Sequence, residues 1–163
     1  MMTSSGEELD FEVWFAVDAR TSECGFVAAA SLLENRPIGS VTKIRVAYVQ
    51  GEEPPANWWK GRLSRLQRKF NFSQKSLPLN DYAGCKGLFD SRAAFLRLVI
   101  PNFAESRLVV YSDADVVFQE DIYRLVAETD LGDGSIAMIR AGSCENQPER
   151  ERILLEESGK HKS

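Results

Sequence analysis

The stretch Arg107–Leu125, RLVVYSDADVVFQEDIYRL, runs an apolar segment of Leu108, Val109, Val110 and Tyr111 straight into two carboxylates, Asp113 and Asp115. Carboxylates are costly to desolvate unless something positive meets them. The pattern therefore asks for a partner: a metal ion, a lysine or arginine, or water. In an extended strand, residues two apart point the same way. That puts Asp113 and Asp115 on one side, roughly 7 Å apart at the Cα atoms. Side chains so placed can converge on one divalent ion where the strand end bends. Oxygen-only donors suit a hard cation, Mg²⁺ or Mn²⁺, with open positions for phosphate oxygens. The structural alternative is a solvated turn or a helix cap.

Outward from this stretch the chain alternates strand-like and helix-like segments. Phe11–Val17, FEVWFAV, is rich in β-branched and aromatic residues and reads as a buried strand. Ser22–Asn35 has apolar residues at helical spacing, with Thr21 or Ser22 as N-cap and Pro37 as the stop. Val41–Val49 alternates as a strand should. From Ala56 to Phe70, the residues Trp59, Leu63, Leu66 and Phe70 share one helical face, with Arg62, Arg65, Arg68 and Lys69 largely off it. Gln74–Leu79 reads as a short strand, and Ser91 to about Pro101 as a helix. Arg107–Phe118 is expected to be the central strand. A short helix follows from Asp121, its N-cap, to Glu128. Leu131–Ser135 reads as a turn, Ser135–Ala141 as a strand, and Gln147–Lys160 as an exposed helix.

This order predicts an α/β fold, a three-layer α/β/α sandwich around a mostly parallel sheet. Ligands of such sheets gather at the carboxyl ends of the strands. Two predicted strand ends carry acids, Asp18 and the Asp113/Asp115 pair, so both are assigned to one site.

Bulk properties narrow the class. A length of 163 residues suffices for one domain with a real core. The net charge of −4 argues against nucleic acid as a partner. Six Lys/Arg residues and no acid lie between Pro54 and Asn80, which a solvated helix face explains. The three cysteines, Cys24, Cys85 and Cys144, have no zinc spacing and read as buried or partly buried free thiols of a reducing compartment. The amino terminus has no signal-peptide core, and FVAAASLL is too short for a transmembrane segment. The expected location is cytoplasmic, with peripheral membrane association left open.

The joint pattern FLRLVIPNFAESRLVVYSDADVVFQEDIYRL resembles the core of glycosyltransferase family eight, the group of glycogenin and bacterial lipopolysaccharide galactosyl- and glucosyltransferases. It has an aromatic-x-Arg helix (Phe95, Arg97), then Ile100-Pro101, the D-x-D strand, Asp121-Ile122 and Leu125. VWFAVDAR and AAASLLEN resemble the family's first strand and the S-x-x-x-N helix after it. The resemblance implies a GT-A fold, a nucleoside-diphosphate sugar donor, expected to be a UDP-sugar, and a divalent metal, Mn²⁺ or Mg²⁺. It implies that Asp113 and Asp115 hold the metal on the donor diphosphate, with Ala114 beside the ribose. Ala16, Val17 and Asp18 would border the nucleobase, and Arg97 would stand near the donor sugar or diphosphate. The acceptor would be a saccharide or another hydroxyl compound, and the transfer retaining.

The chain departs from the family in places. Phe95 replaces the usual tyrosine. The later Asn-x-Gly and His-x-x-Gly-x-x-Lys segments are absent, and the one histidine, His161, lies in a polar tail. Residues 1–163 are thus expected to form the nucleotide-sugar-binding domain, incomplete at its carboxyl end, inactive or nearly so alone, and prone to self-association. Two alternatives stay open. One is a haloacid-dehalogenase-type phosphatase with Asp113 as nucleophile; the other is a non-catalytic nucleotide-binding fragment.

Overall fold

The computed structural model describes residues 9–53, 57–79, 82, 84, 85 and 91–129. The chain divides into two units, residues 1–128 and 129–163, and the second lies outside the described residues but for Thr129. The turn at Leu131–Ser135, the strand at Ser135–Ala141, the helix at Gln147–Lys160, Cys144 and His161 therefore lie outside the description.

The first unit runs β1 (Phe11–Ala16), α1 (Ser22–Glu34), β2 (Val41–Val49), α2 (Trp58–Leu63), β3 (Lys69–Leu77), α3 (Leu96–Val99), β4 (Leu108–Ser112) and α4 (Ile122–Glu128). The four strands form one sheet in the order β3-β2-β1-β4, with every pair parallel. Parallel neighbours need crossovers over the sheet faces, and these cover both sides. On one face Phe11, Val13, Phe15 and Val17 of β1 and its end pack with Ile44, Val46 and Tyr48 under α1, α2 and α4. On the other, Trp14, Ala16, Ala47, Val49 and Leu77 pack under the segment holding Ala93, Leu96 and Ile100. This is the three-layer α/β/α arrangement expected.

Several local expectations need correction. Among the described residues β4 is the last strand on its side of the sheet and β1 and β2 lie inside, while the strand expected at Ser135–Ala141 lies outside the described residues. The helix from Ala56 does not reach Phe70. It ends at Leu63, a 3₁₀ turn covers Ser64–Leu66, and Gln67 in the left-handed region (φ 53°) turns the chain into β3. Phe70 still packs on the same core as Trp59 and Leu63, but from a strand paired with β2, Thr42 opposite Phe70. A ladder partner outweighed helical spacing that Gly61 already weakened. The strand placed at Gln74–Leu79 begins earlier, at Lys69. The helix from Ser91 is broken into a 3₁₀ turn, one α turn and a second 3₁₀ turn ending at Asn102, with Pro101 inside the last. Cys24 and Cys85 are free, as expected, but exposed rather than buried.

A continuous apolar strand such as β1 is buried on both faces, which makes Glu12 an anomaly. It is fully buried. Its Oε1 accepts from Trp14 Nε1–H and from the Glu105 backbone N–H, each at 2.9 Å. Its Oε2 accepts from Arg45 Nε–H at 3.1 Å. Arg45, itself 4% exposed, extends Nη1 to the carbonyl and the side-chain oxygen of Asn71 at 3.1 and 3.0 Å. One ion pair thus joins β1, β2, β3 and the loop before β4. Breaking such a pair from one side leaves an uncompensated buried charge, a loss of about 3–5 kcal/mol, whereas an apolar replacement of both partners is often near neutral. We expect Glu12→Leu or Arg45→Met alone to lower the urea midpoint strongly, and the double variant to recover most of the loss.

Gly25 lets α1 sit close against Val17 and Trp59. A Cβ there would stand 2.7 Å from Val17 Cγ1 and 3.0 Å from Trp59 Cη2. Overpacking costs about 1–3 kcal/mol, and alanine's helix advantage of about 1 kcal/mol offsets only part of it. Gly25→Ala should lower the thermal midpoint, while Gly61→Ala, where a Cβ meets nothing within 4 Å, should not.

Candidate active site

The carboxyl ends of β1 and β4 lie side by side, with Phe15 opposite Ser112 as the last register pair. Ala16, Val17 and Asp18 continue from one end, and Asp113, Ala114 and Asp115 from the other. The expected juxtaposition of these two acidic strand ends therefore follows from the sheet order.

The strand stops at Ser112, and Ala114 and Asp115 form a turn. The two-residue alternation assumed for Asp113 and Asp115 does not extend across it. It holds one step earlier, for Tyr111 and Asp113. The Tyr111 hydroxyl donates to Asp113 Oδ1 at 2.9 Å, and Arg97 Nη2 donates to the same oxygen at 3.1 Å. Arg97 Cζ lies 4.9 Å from the Tyr111 ring centroid, and Arg97 Nε–H is held by the Ala94 carbonyl at 2.9 Å. Asp113 and Arg97 side chains are 53% and 43% exposed, so this ion pair is weak, about 0–1 kcal/mol, and open to incoming ligands. Burial and the neighbouring Asp113 charge raise the Tyr111 phenol above its ordinary range, so it remains a donor at neutral pH. Asp115 is exposed and forms no hydrogen bond or ion pair among the described residues.

Helix α1 holds the far side of the turn. Ser31 Oγ accepts from the Phe118 N–H at 3.0 Å, and Asn35 Nδ2 donates to the Phe118 carbonyl at 2.8 Å. The S-x-x-x-N spacing puts both on one helix face, and they anchor both backbone groups of Phe118. Asp121 then caps α4, its Oδ1 accepting from the Tyr123 N–H at 3.0 Å and pairing with Arg36 at 2.6 Å.

Asp18 serves its own turn. Its Oδ1 accepts from the Arg20 N–H (2.9 Å), the Thr21 N–H (2.8 Å) and the Thr21 hydroxyl (2.9 Å), while Thr21 Oγ1 accepts from the Asp18 N–H. Thr21 is the N-cap of α1 by position, but its hydroxyl is turned back to Asp18 rather than into the helix. Burial pushes the Asp18 carboxyl up, but hydrogen bonds from the Ser91 hydroxyl, Thr21 and Arg20 more than reverse this and hold it below its usual value. The segment carrying Ser91 and Arg97 thus meets both acidic strand ends. Ser91 and Tyr111 were missed by sequence reasoning. Tyr111 was detectable, because it stands two residues before Asp113 on a strand.

Asp113 and Asp115 present oxygen donors only. Asp113 Oδ2 has no hydrogen-bond partner among the described residues, and no cluster of three or more Asp, Glu, His or Cys suited to a metal occurs among them. This donor set fits a hard divalent cation held by one or two carboxylates, with its other positions left to phosphate oxygens and water.

The parallel sheet is covered by helices on both faces and carries acids at the carboxyl ends of two adjacent strands. The sequence model of glycosyl transferase family 8 matches residues 20–163, and the chain belongs to this family. Among solved structures it is similar to the galactosyltransferase LgtC in complex with donor and acceptor sugar analogues. The identity is 26% and the TM-score 0.56, over 75% of this chain and 44% of that one. It also shares its fold with the apo-form glycosyltransferase GlyE of Streptococcus pneumoniae TIGR4, at 22% identity and TM-score 0.56, over 95% of this chain and 40% of that one. The chain therefore spans less than half the length of either. No curated protein matches it significantly.

The Asp18 carboxyl is lowered below the ordinary 3.8. A depressed folded pKa adds stability that is complete above the unfolded value and is lost as pH falls through the folded one. The thermal midpoint of Asp18→Asn should accordingly lie below wild type near neutral pH, and the gap should close as the pH drops beneath 3.8. A gap that stayed constant into strong acid would contradict the hydrogen-bonded carboxylate.

Proposed function

We propose that this chain carries the donor-binding machinery of a metal-dependent glycosyltransferase that moves a hexose from a nucleoside-diphosphate sugar, a UDP-sugar, to a hydroxyl acceptor with retention. The observation that carries the reading is the cluster of Asp113, Arg97 and Tyr111 where β4 ends beside β1, in a chain of glycosyl transferase family 8. Galactose transfer belongs to the LgtC relative by name; the donor sugar here is part of the proposal.

In this reading Asp113 and Asp115 hold Mn²⁺ or Mg²⁺. Bound there, the cation supplies charge stabilisation for the departing diphosphate without any proton transfer. Arg97 adds a permanent, planar cation at the same edge. Its half-exposed bond to Asp113 exchanges for diphosphate oxygens at little cost. Ala16 and Val17, whose side chains pack into the cores on opposite faces of the sheet, border the nucleobase through their backbone, and Ala114 stands beside the ribose. Asp18, whose carboxyl is already bonded by Thr21, Arg20 and Ser91, accepts in addition from the base N–H.

The phosphatase alternative gains no support, since the acidic pair closes the fourth strand of a family 8 domain. Calorimetry with UDP, with and without Mn²⁺, tests the proposal. Binding should require the metal, and Asp113→Asn and Asp115→Asn should each weaken it at least tenfold. Hydrolysis of a UDP-hexose by the same chain separates a catalytic domain from one that only binds. Metal-independent UDP binding, or none, would remove the proposed function.

A further inference from the structure

Asp113 has two oxygens, and the structure treats them differently. Oδ1 receives two donors, the Tyr111 hydroxyl at 2.9 Å and Arg97 Nη2 at 3.1 Å. Oδ2 receives none from the described residues. The two donors are not equivalent. Arg97 is a half-exposed side chain whose bond competes with solvent. Tyr111 grows from the strand itself, packs its ring against the core that holds Trp14 and Leu96, and is only partly exposed. Its ring also lies beneath the Arg97 guanidinium, with the centroid 4.9 Å from Cζ. One strand-borne side chain therefore touches both Asp113 and Arg97.

From this we infer that Tyr111 is the positioning residue of the cation site: its hydroxyl holds Asp113 Oδ1 so that Oδ2 faces the metal, and its ring carries Arg97 toward the diphosphate. The inference rests on the metal-dependent reading above. Physically, an aspartate at a turn rotates about two bonds, and fixing one oxygen to a strand-borne donor removes most of that freedom before the ligand arrives. A phenol is suited to this, because its hydroxyl gives Asp113 a hydrogen bond without adding charge. Arg97 alone cannot do so, since the same guanidinium must turn to the diphosphate when it binds. Outer-shell groups that orient carboxylate ligands typically contribute 10–100-fold in metal affinity.

Two substitutions separate the hydroxyl from the ring. Tyr111→Phe keeps the platform under Arg97 and removes only the hydrogen bond. Tyr111→Leu removes both. Mn²⁺ binding in the presence of UDP, followed by the electron paramagnetic resonance of free Mn²⁺, should weaken by about tenfold or more in Tyr111→Phe. It should weaken further in Tyr111→Leu, which should also bind UDP less well. Thermal midpoints report whether each variant is folded. The ¹³C shift of the Asp113 carboxyl in the metal-free protein should change in Tyr111→Phe, a readout that needs no metal.

Wild-type Mn²⁺ affinity in a folded Tyr111→Phe, or an unchanged Asp113 carboxyl shift, would overturn the role of Tyr111 while leaving the glycosyltransferase reading intact. Wild-type protein that takes up no Mn²⁺ with UDP would overturn both.

Discussion

The ion pair between Glu12 and Arg45 is the constraint on which the sheet depends. Every position of β1 is buried, so a charge on β1 must be neutralised within the fold. Glu12 meets that demand with donors from its own strand, from β2 and from the chain before β4. Arg45 passes the connection on to β3 through Asn71. Lys75 of β3 adds an exposed bond to Glu105, the residue whose N–H also reaches Glu12. A one-residue slip of any of these strands would strand a buried charge. The pair thus sets the register that brings Phe15 opposite Ser112, and with it the two acidic strand ends into adjacency.

At the opposite end of the strands the polar groups are arranged for exchange rather than permanence. Arg97 and Asp113 are each about half exposed, while Glu12 is fully buried. The same chemical pairing, a guanidinium on a carboxylate, locks one pole of the sheet and leaves the other available to ligand. The difference is solvent: desolvation makes the buried pair costly to break, and screening makes the exposed pair cheap. Helix α1 mediates between the poles. Gly25 allows it to sit close on Val17, and Ser31 and Asn35 grip the backbone beyond the acidic turn.

Much of this was legible in the chain. The run FEVWFAV, the helix after it and the alternation of Val41–Val49 fall within a residue or so of the observed elements. Asp121 caps its helix as its position suggested. The pairing of Arg97 with Asp113 has no signature in spacing, since sixteen residues separate them, and the family resemblance placed Arg97 near the donor sugar or diphosphate rather than on Asp113. Glu12 passed as an ordinary member of an apolar strand because pattern reading sums hydrophobicity and does not ask where one charge goes. The basic stretch to Lys69 was read as one helix because Trp59, Leu63, Leu66 and Phe70 fit a helical period. All four do reach one core, but Phe70 arrives there from a strand.

The amino-acid sequence alone determined the α/β class, the acidic pair at the end of an apolar strand and the membership pattern of the family, because these are local or near-local regularities of composition and spacing. Tertiary structure decided the sheet order, the edge position of β4 among the described strands and the convergence of Tyr111 and Arg97 on a single oxygen of Asp113. Those depend on which segments meet across the chain, and non-local contacts form only where packing and buried charge leave no other arrangement satisfied.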